Sequence, residues 1–261
     1  MKSVYKVYNE TLRSQKELIL CEDGTNTLYS KEFDEPYHST KDGALHESLE
    51  KHVKPSLSLS RGKTALTILD ICFGLGYNTF STLYYIKKNR LNTKVHILSP
   101  EFDEELVHSL RTFEFPPEFD MIKHMIEAVS DNLRYEDEQF KIEILPGDAR
   151  KSIPQIKEKI DVVYQDAFSP AHNPLLWTKE WFSDVRAICR EDALLTTYST
   201  AAAIRLGLYE NGFFIFVHRA EMMRYSTVAS LKMLDGLEYI DMELKKKRNP
   251  TAESMKDKNY V

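Results

Sequence analysis

No apolar run in the 261 residues approaches the roughly 20 that a membrane-spanning helix needs. The opening stretch MKSVYKVYNE lacks the apolar core of a secretory signal, so a cytoplasmic location is expected. Cysteine is scarce. Cys21, Cys72 and Cys189 are far apart and odd in number, which leaves neither a disulfide framework nor a C-x-x-C metal or redox motif. His46 and His52 in HESLEKH stand six apart, not at the H-E-x-x-H spacing that sets two imidazoles on one helix face, and no metal centre is expected. There is no G-x-G-x-x-G dinucleotide fingerprint and no Gly-Lys-Ser/Thr phosphate loop. Neither sign of charge dominates: 35 Lys and Arg stand against 40 Asp and Glu, for a net charge of −5. That argues against a surface gripping nucleic acid everywhere and leaves room for a local basic patch.

What is present is the composition of a globular protein, 42% hydrophobic and 29% charged. Residues 17–29, ELILCEDGTNTLY, read as two short strands about an Asp-Gly turn, a small N-terminal β appendage. From residue 65 short apolar runs alternate with helical periodicity. Strands are predicted near 65–71, 94–99, 141–145, 161–165, 193–199 and 213–218, and helices near 77–89, 103–112, 120–134, 149–158, 178–189 and 200–210. The alternation implies right-handed βαβ crossovers and an α/β fold, a doubly wound, mostly parallel sheet covered on both faces. Residues 114–139 make one strand connection unusually long and are expected to pack as a helical insertion on the surface rather than to act as a lid. The expected organisation is an appendage and pocket-flanking segment over 1–60, the main domain over 61–240, and a charged, disordered tail over 241–261.

In ILDICFGLGYN a strand runs into a G-x-G turn, Gly74 and Gly76, with Asn78 opening a helix. Glycines there let the backbone approach a ligand, and the helix start offers free N–H groups; an ordinary structural turn is the plain alternative. Acids follow the strands in register: Asp70 before the turn, Glu101 in SPEFD, Asp148 in PGDAR and Asp166 in YQDAF. Glu101 stands where an acid in this architecture bonds ribose hydroxyls, and Asp148 where a carboxylate or its neighbouring backbone accepts from an adenine amino group. Any one of them is open to reading as a helix N-cap, Asp148 in particular. Four at successive strand ends mark the edge where such sheets bind ligands, and Asp70 is counted with the cofactor-binding candidates. An acid-lined crevice without a phosphate grip suits a cationic adenosine cofactor, and S-adenosyl-L-methionine (SAM) fits that description.

The motifs GALHESLEKHV (43–53), DICFGLGYN (70–78), SPEFD (99–103), PGDAR (146–150), QDAFSPAHNPLLWT (165–178) and LLTTYSTAAAIRLGLYENGF (194–213) cover most of residues 30–220. Together they resemble the methyltransferase half of the bacterial tRNA wobble-uridine enzyme MnmC, a family that also occurs as stand-alone proteins. The Asp-Ala-Phe-x-Pro-Ala-x-Asn-Pro-x-x-Trp run is the most specific signal. The resemblance implies a Rossmann-like SAM-dependent methyltransferase fold, tRNA as partner, and methylation of the exocyclic amine of an aminomethyl group on the wobble uridine. It puts Gly74, Gly76 and Asn78 in the SAM loop, Glu101 at the ribose, Asp148 on the adenine side and Asp166 beside the methyl-transfer centre. Cys72 stands where the family often has glycine, and His172 where lysine is frequent. Bifunctional members also carry an FAD-dependent oxidase half with no counterpart in these residues, so a separate oxidase is expected to supply the aminomethyl substrate.

Methyl transfer to an amine requires the neutral amine, whereas an alkylammonium with a pKa on the order of 10 is mostly protonated near neutral pH. Asp166 is expected to hold the ammonium and accept or relay its proton; a carboxylate that merely ties down its own loop is the alternative. Pro170 and Pro174 stiffen that loop, and Trp177 is expected to be a core anchor rather than a stacking platform. Tyr37, Glu47 and His172 are the substrate-side candidates, with ordinary packing as the alternative for the first two and simple solvation for the third. Residues 101–143 carry thirteen acidic and four basic side chains and should repel RNA. Phosphate contacts are therefore expected from Arg13, Lys16, Arg205, Arg219, Arg224 or the KKKR run at 245–248, whose alternative is a solvated tail. Two other readings stay open: a SAM-type transferase acting on a small amine, polyamine-synthase-like, and a catalytically silent binding module of the same fold.

Overall fold

Strands buried on both faces need near-continuous runs of Val, Ile and Leu, and the runs from residue 65 onward supply them. The computed structural model describes residues 16–220 and 223–260; Arg13 and the rest of the first fifteen residues lie outside the described ones. Strands β1 (Lys16–Leu20) and β2 (Asn26–Ser30) form the hairpin that the sequence signal implied, and β3 (Glu35–Pro36) adds a third strand to this small antiparallel sheet. The main sheet is built from β4 (Ala65–Ile71), β5 (Lys94–Glu101), β6 (Arg134–Glu136), β7 (Phe140–Pro146), β8 (Ile160–Gln165), β9 (Cys189–Thr197), β10 (Phe214–His218), β11 (Ser226–Ser230) and β12 (Glu238–Ile240). Its order is β12-β10-β11-β9-β8-β4-β5-β7-β6.

Strands β7, β5, β4, β8 and β9 are parallel. The chain winds outward from β4 through β5 to β7, then crosses back to β8 on the other side of β4. The winding therefore switches between β4 and β8, and a crevice opens there at the carboxyl ends of the strands. Alternation along β4 sends Leu66 and Ile68 into one apolar layer and Leu69 and Ile71 into the other. Helix Tyr77–Lys88 covers the first face, and helices Lys179–Ile188 and Ala202–Glu210 cover the second. This is the doubly wound α/β fold expected.

Four strands escaped the sequence reading, the first being the two-residue β3. β11 has the polar sequence STVAS, yet all five residues are buried, because it slots antiparallel between β9 and β10. The edge strands β6 (RYE) and β12 (EYI) are too short and polar to show a period. The long connection after β5 packs rather than hangs: Phe115 meets the Phe80 ring at 5.5 Å and Phe119 meets Tyr77 at 5.8 Å. The expectation of a disordered tail needs correction. Residues Met242–Arg248 form a helix capped by Asp241, and beyond it Ser254 donates to Glu210 at 2.8 Å. The charges that resemble disorder in the sequence are spent on the folded domain, since Asp257 accepts from Arg150 at 2.9 Å and from Thr178 at 2.6 Å.

Two buried features lock the start of helix 77–88 to β4. Gly76 caps the helix at φ +73°, and a Cβ there would lie 2.5 Å from a Phe80 ring carbon and 2.7 Å from Phe73. Asp70, 1% exposed, accepts from the Thr79 hydroxyl at 2.7 Å. Burial pushes its carboxyl up to about 7 against that hydrogen bond, with the nearby Asp166 charge adding to the rise and His52 and Asn78 opposing it.

Gly76→Ala should destabilise the fold by about 1–3 kcal/mol, read from chemical denaturation, because left-handed backbone and ring contact act together. In the unfolded chain Asp70 ionises near its ordinary value, whereas folded Asp70 keeps its proton up to about 7. Between those values the native state binds the extra proton, so stability falls as pH rises, by about 1.4 kcal/mol for each pH step at most. Asp70→Asn should flatten this decline, with denaturation midpoints that gain on the wild type from pH 4 towards pH 8; parallel curves would contradict it.

Candidate active site

The carboxyl ends of the central strands open into a cavity of about 970 Å³, near the top of the range of roughly 300–1,000 Å³ usual for small-ligand sites. Its inner wall is the turn between β4 and helix 77–88. Cys72 has φ +64° and Gly74 φ +54°, so the chain bends through the left-handed region that favours glycine. The Cys72 conformation accounts for a glycine preference at that position. A Cβ at Gly74 would come within 3.0 Å of the Tyr37 ring.

Glu101, at the end of β5, accepts from the Gly74 N–H and the Asp103 N–H, both at 2.7 Å. Burial raises its carboxyl above the ordinary value while these backbone bonds oppose the rise. Asp148 follows β7 and caps helix Ala149–Ser152 by accepting from the Arg150 N–H at 2.9 Å, so the N-cap reading describes it, and it also lines the cavity. The cations Lys16 and Arg150 on the wall are each tied to a carboxylate, Asp103 and Asp257 respectively. Among the described residues the wall cations are thus paired, and the cavity is suited to a positively charged ligand.

Asp166 stands one residue past β8, its side chain 11% exposed. Oδ2 accepts from the Asn78 amide at 2.8 Å, and Oδ1 lies 3.4 Å from His52 Nε2. Burial pushes the Asp166 carboxyl up, but the charge and hydrogen bond of His52, with His38 and Asn78, outweigh it and hold the group well below the usual carboxylate range. Asp166 is an anion at neutral pH.

The loop after Asp166 is tied on both sides. Trp177 is fully buried, the core anchor expected, and its indole N–H donates to Phe168 O at 2.7 Å. The Tyr198 hydroxyl donates to Ala167 O at 3.0 Å. From the small sheet, Phe33 stacks on Phe168 at 4.5 Å, Tyr37 meets the same ring edge-on at 4.9 Å, and Glu35 accepts from the Ser169 N–H at 2.9 Å. The appendage is thus a roof over the cavity.

Of the residues singled out in the sequence, the fold brings Gly74, Asn78, Glu101, Asp148, Asp166, Tyr37 and Glu47 to the cavity wall. Asp70 and Gly76 sit behind that wall, shaping the turn. Glu47 is already engaged, by Lys51 at 2.6 Å and the Ser39 N–H at 2.7 Å. His172 is not brought to the cavity: Ser169 O accepts from the backbone N–H of both His172 and Asn173, and this turn leaves His172 exposed. Among the proposed RNA contacts, Lys16 is consumed in its buried pair with Asp103, and the half-buried Arg205 donates to Thr227 at 3.0 Å. Arg219 and Arg224 are exposed, Arg219 pairing with Glu238, and the run 245–248 ends an exposed helix. Among the described residues no group of three or more His, Cys, Asp or Glu is placed to hold a metal ion, and no helix is long and apolar enough to cross a membrane.

Sequence reasoning did not reach Phe168, Tyr198 or His52. His52 was weighed only against a metal spacing, and nothing in the sequence placed it opposite an acid 114 residues away.

A family described as S-adenosyl-L-methionine-dependent methyltransferase matches residues 118–231. An uncharacterised protein of Methanocaldococcus jannaschii is 33% identical over 210 residues, which is 78% of this chain and 56% of that protein. The tRNA 5-methylaminomethyl-2-thiouridine biosynthesis bifunctional protein MnmC of Azoarcus is 29% identical over 208 residues, 75% of this chain and 32% of that protein. The chain thus spans about half and about a third of the lengths of these two curated relatives. The crystal structure of MnmC2 from Aquifex aeolicus superposes with a TM-score of 0.79 at 34% identity, covering 94% of this chain and 79% of that one. A doubly wound sheet that superposes at 34% identity over 94% of this chain and 79% of that one leaves one conclusion: the chain belongs to the MnmC-like family of SAM-dependent methyltransferases.

Proposed function

We propose that the protein methylates the exocyclic amine of an aminomethyl group on the wobble uridine of tRNA, in the cytoplasm and with SAM as methyl donor. The name of the Azoarcus relative supports the substrate class. The observation that carries the reading is a carboxylate, Asp166, set at the cavity wall between an amide donor and an imidazole. A carboxylate held in that way suits a cationic amine.

The residues of the cavity fit SAM. Glu101 would hold the ribose hydroxyls beside the Gly74 turn, Asp148 would flank the adenine side, and the acidic wall suits a ligand carrying a sulfonium and an ammonium. When bound, SAM supplies a methyl group activated on sulfur. The chain's part is alignment, exclusion of water and control of one proton. Asp166 draws in the protonated amine, and Asn78 keeps the carboxylate from rotating so that the nitrogen lone pair is aimed as the proton leaves. Tyr37 and the Phe33–Phe168 stack close the roof above it. The amine itself must be unmasked by another reaction, and a separate oxidase belongs to this reading. RNA phosphates would meet the exposed Arg219, Arg224 and 245–248 rather than the acidic face.

Mass spectrometry of tRNA nucleosides from a strain lacking the protein should show the unmethylated aminomethyl form accumulating; an unchanged profile would reject the reading. With purified protein, Asp166→Asn should keep its SAM affinity in calorimetry while methyl transfer falls by about 10²–10⁴. Near-normal turnover in that variant would remove Asp166 from the mechanism.

A further inference from the structure

The parallel register of β8 and β9 brings an aromatic side chain to the carboxylate at the sheet edge. Tyr164 of β8 pairs with Thr196 of β9. Two residues further along each chain stand Asp166 and Tyr198, each one residue past the end of its strand and each lining the cavity. Side chains alternate with a period of two and neighbouring strands lie about 4.8 Å apart, so the register sets Tyr198 beside Asp166 on the same side of the sheet. We propose that Tyr198 is a substrate-binding residue whose ring holds the cationic amine beside Asp166 and makes the site read the charge of that group. The inference rests on the reading of Asp166 as the group that meets the substrate ammonium.

The polar end of Tyr198 is already spent. Its hydroxyl donates to Ala167 O at 3.0 Å, and its ring meets the fully buried Trp177 edge-on at 5.5 Å. Trp177 in turn donates to Phe168 O at 2.7 Å. These two aromatic side chains therefore hold successive carbonyls of the loop that begins at Asp166. What the half-buried Tyr198 leaves to a ligand is ring carbon. Burial pushes its phenol well up, and the charges of Asp166, Glu35 and Glu47 add to the rise, so the ring stays neutral among negative charges.

Those three carboxylates are not equivalent. Glu35 accepts from the Ser169 N–H at 2.9 Å, while Glu47 accepts from the Ser39 N–H at 2.7 Å and pairs with Lys51 at 2.6 Å. A cation entering here therefore meets its countercharge at Asp166 and, on the β9 side, an aromatic ring. An ammonium over such a ring is attracted by the ring quadrupole, and more strongly where water is excluded. The contact grips an alkylammonium without using any of its N–H bonds, which stay available to the carboxylate. A pyrimidine without the charged arm gains nothing from it.

Affinity of the full chain for two forms of one tRNA, with the aminomethyl group or with plain uridine at the wobble position, tests the assignment near pH 7. S-adenosyl-L-homocysteine replaces SAM so that no methyl group moves. The wild type should bind the aminomethyl form more tightly; equal affinity rejects the parent reading. Tyr198→Leu removes the ring and should cut the preference about tenfold, with the affinities for S-adenosyl-L-homocysteine and for plain-uridine tRNA unchanged. Tyr198→Phe loses the bond to Ala167 O but keeps the ring, and should retain the preference within about twofold. A phenylalanine with a fluorinated ring at this position keeps the shape and drains the ring face of negative charge. It should lose the preference as leucine does, and it carries the test if Tyr198→Leu folds poorly. A preference that survives loss or fluorination of the ring, equal losses in the Phe and Leu variants, or a loss shared by plain-uridine tRNA overturns the proposal.

Discussion

A single side-chain amide spans the point where the sheet changes its direction of winding. Asn78 Nδ2 lies 2.8 Å from Asp166 and 3.5 Å from Asp70, which come from the neighbouring strands β8 and β4. Parallel pairing of Ile71 with Gln165 brings two carboxylates close together at the sheet edge, and two buried anions at that distance oppose each other. The structure divides them. Asp70, deeper and offered only a hydroxyl and a distant amide, keeps its proton up to about 7, whereas Asp166, met by Asn78 and His52, stays ionised. Pairs of titratable groups driven apart by their surroundings are how one site separates a structural acid from a working one.

Everything else around the cavity holds that arrangement still. The turn from Cys72 to Gly76 places Asn78 at the helix start and leaves no room for a Cβ at Gly76. Above it, the small N-terminal sheet is fastened by the stack of Phe33 on Phe168, the bond from Ser169 N–H to Glu35, and the Tyr77 hydroxyl donating to Asn26 O at 2.8 Å. The tail reaches the same site from below. Asp257 holds both Arg150, beside the Asp148 wall, and Thr178, which caps helix 179–188 behind the Asp166 loop. Segments at both ends of the described chain thus brace walls that the central strands create.

The parallel strands and their helices were legible because each repeats a strong local signal: a run such as ALTILDI is buried on both faces, and a helix such as Lys179–Ile188 buries Trp181, Phe182, Val185 and Ile188 on one side. The acids at strand ends were legible for the same reason, since the end of an apolar run locates the edge. β11 was not, because Ser and Thr carry no apolar period and only its two neighbours bury it. The tail was misjudged because ion pairs such as Arg150 with Asp257 join residues 107 apart, a relation invisible to any local window.

By itself the sequence determined the alternation of the parallel strands with their helices, the glycine turn and the line of acids, all set by contacts within a few residues. Only the tertiary structure decided which of those acids is charged, since that depends on Asn78 and His52 arriving from other elements. It also decided that His172 points away and that His52 points in. Nothing in HESLEKH announces the carboxylate of Asp166 beyond it; burial and distance exist only once the chain has closed on itself.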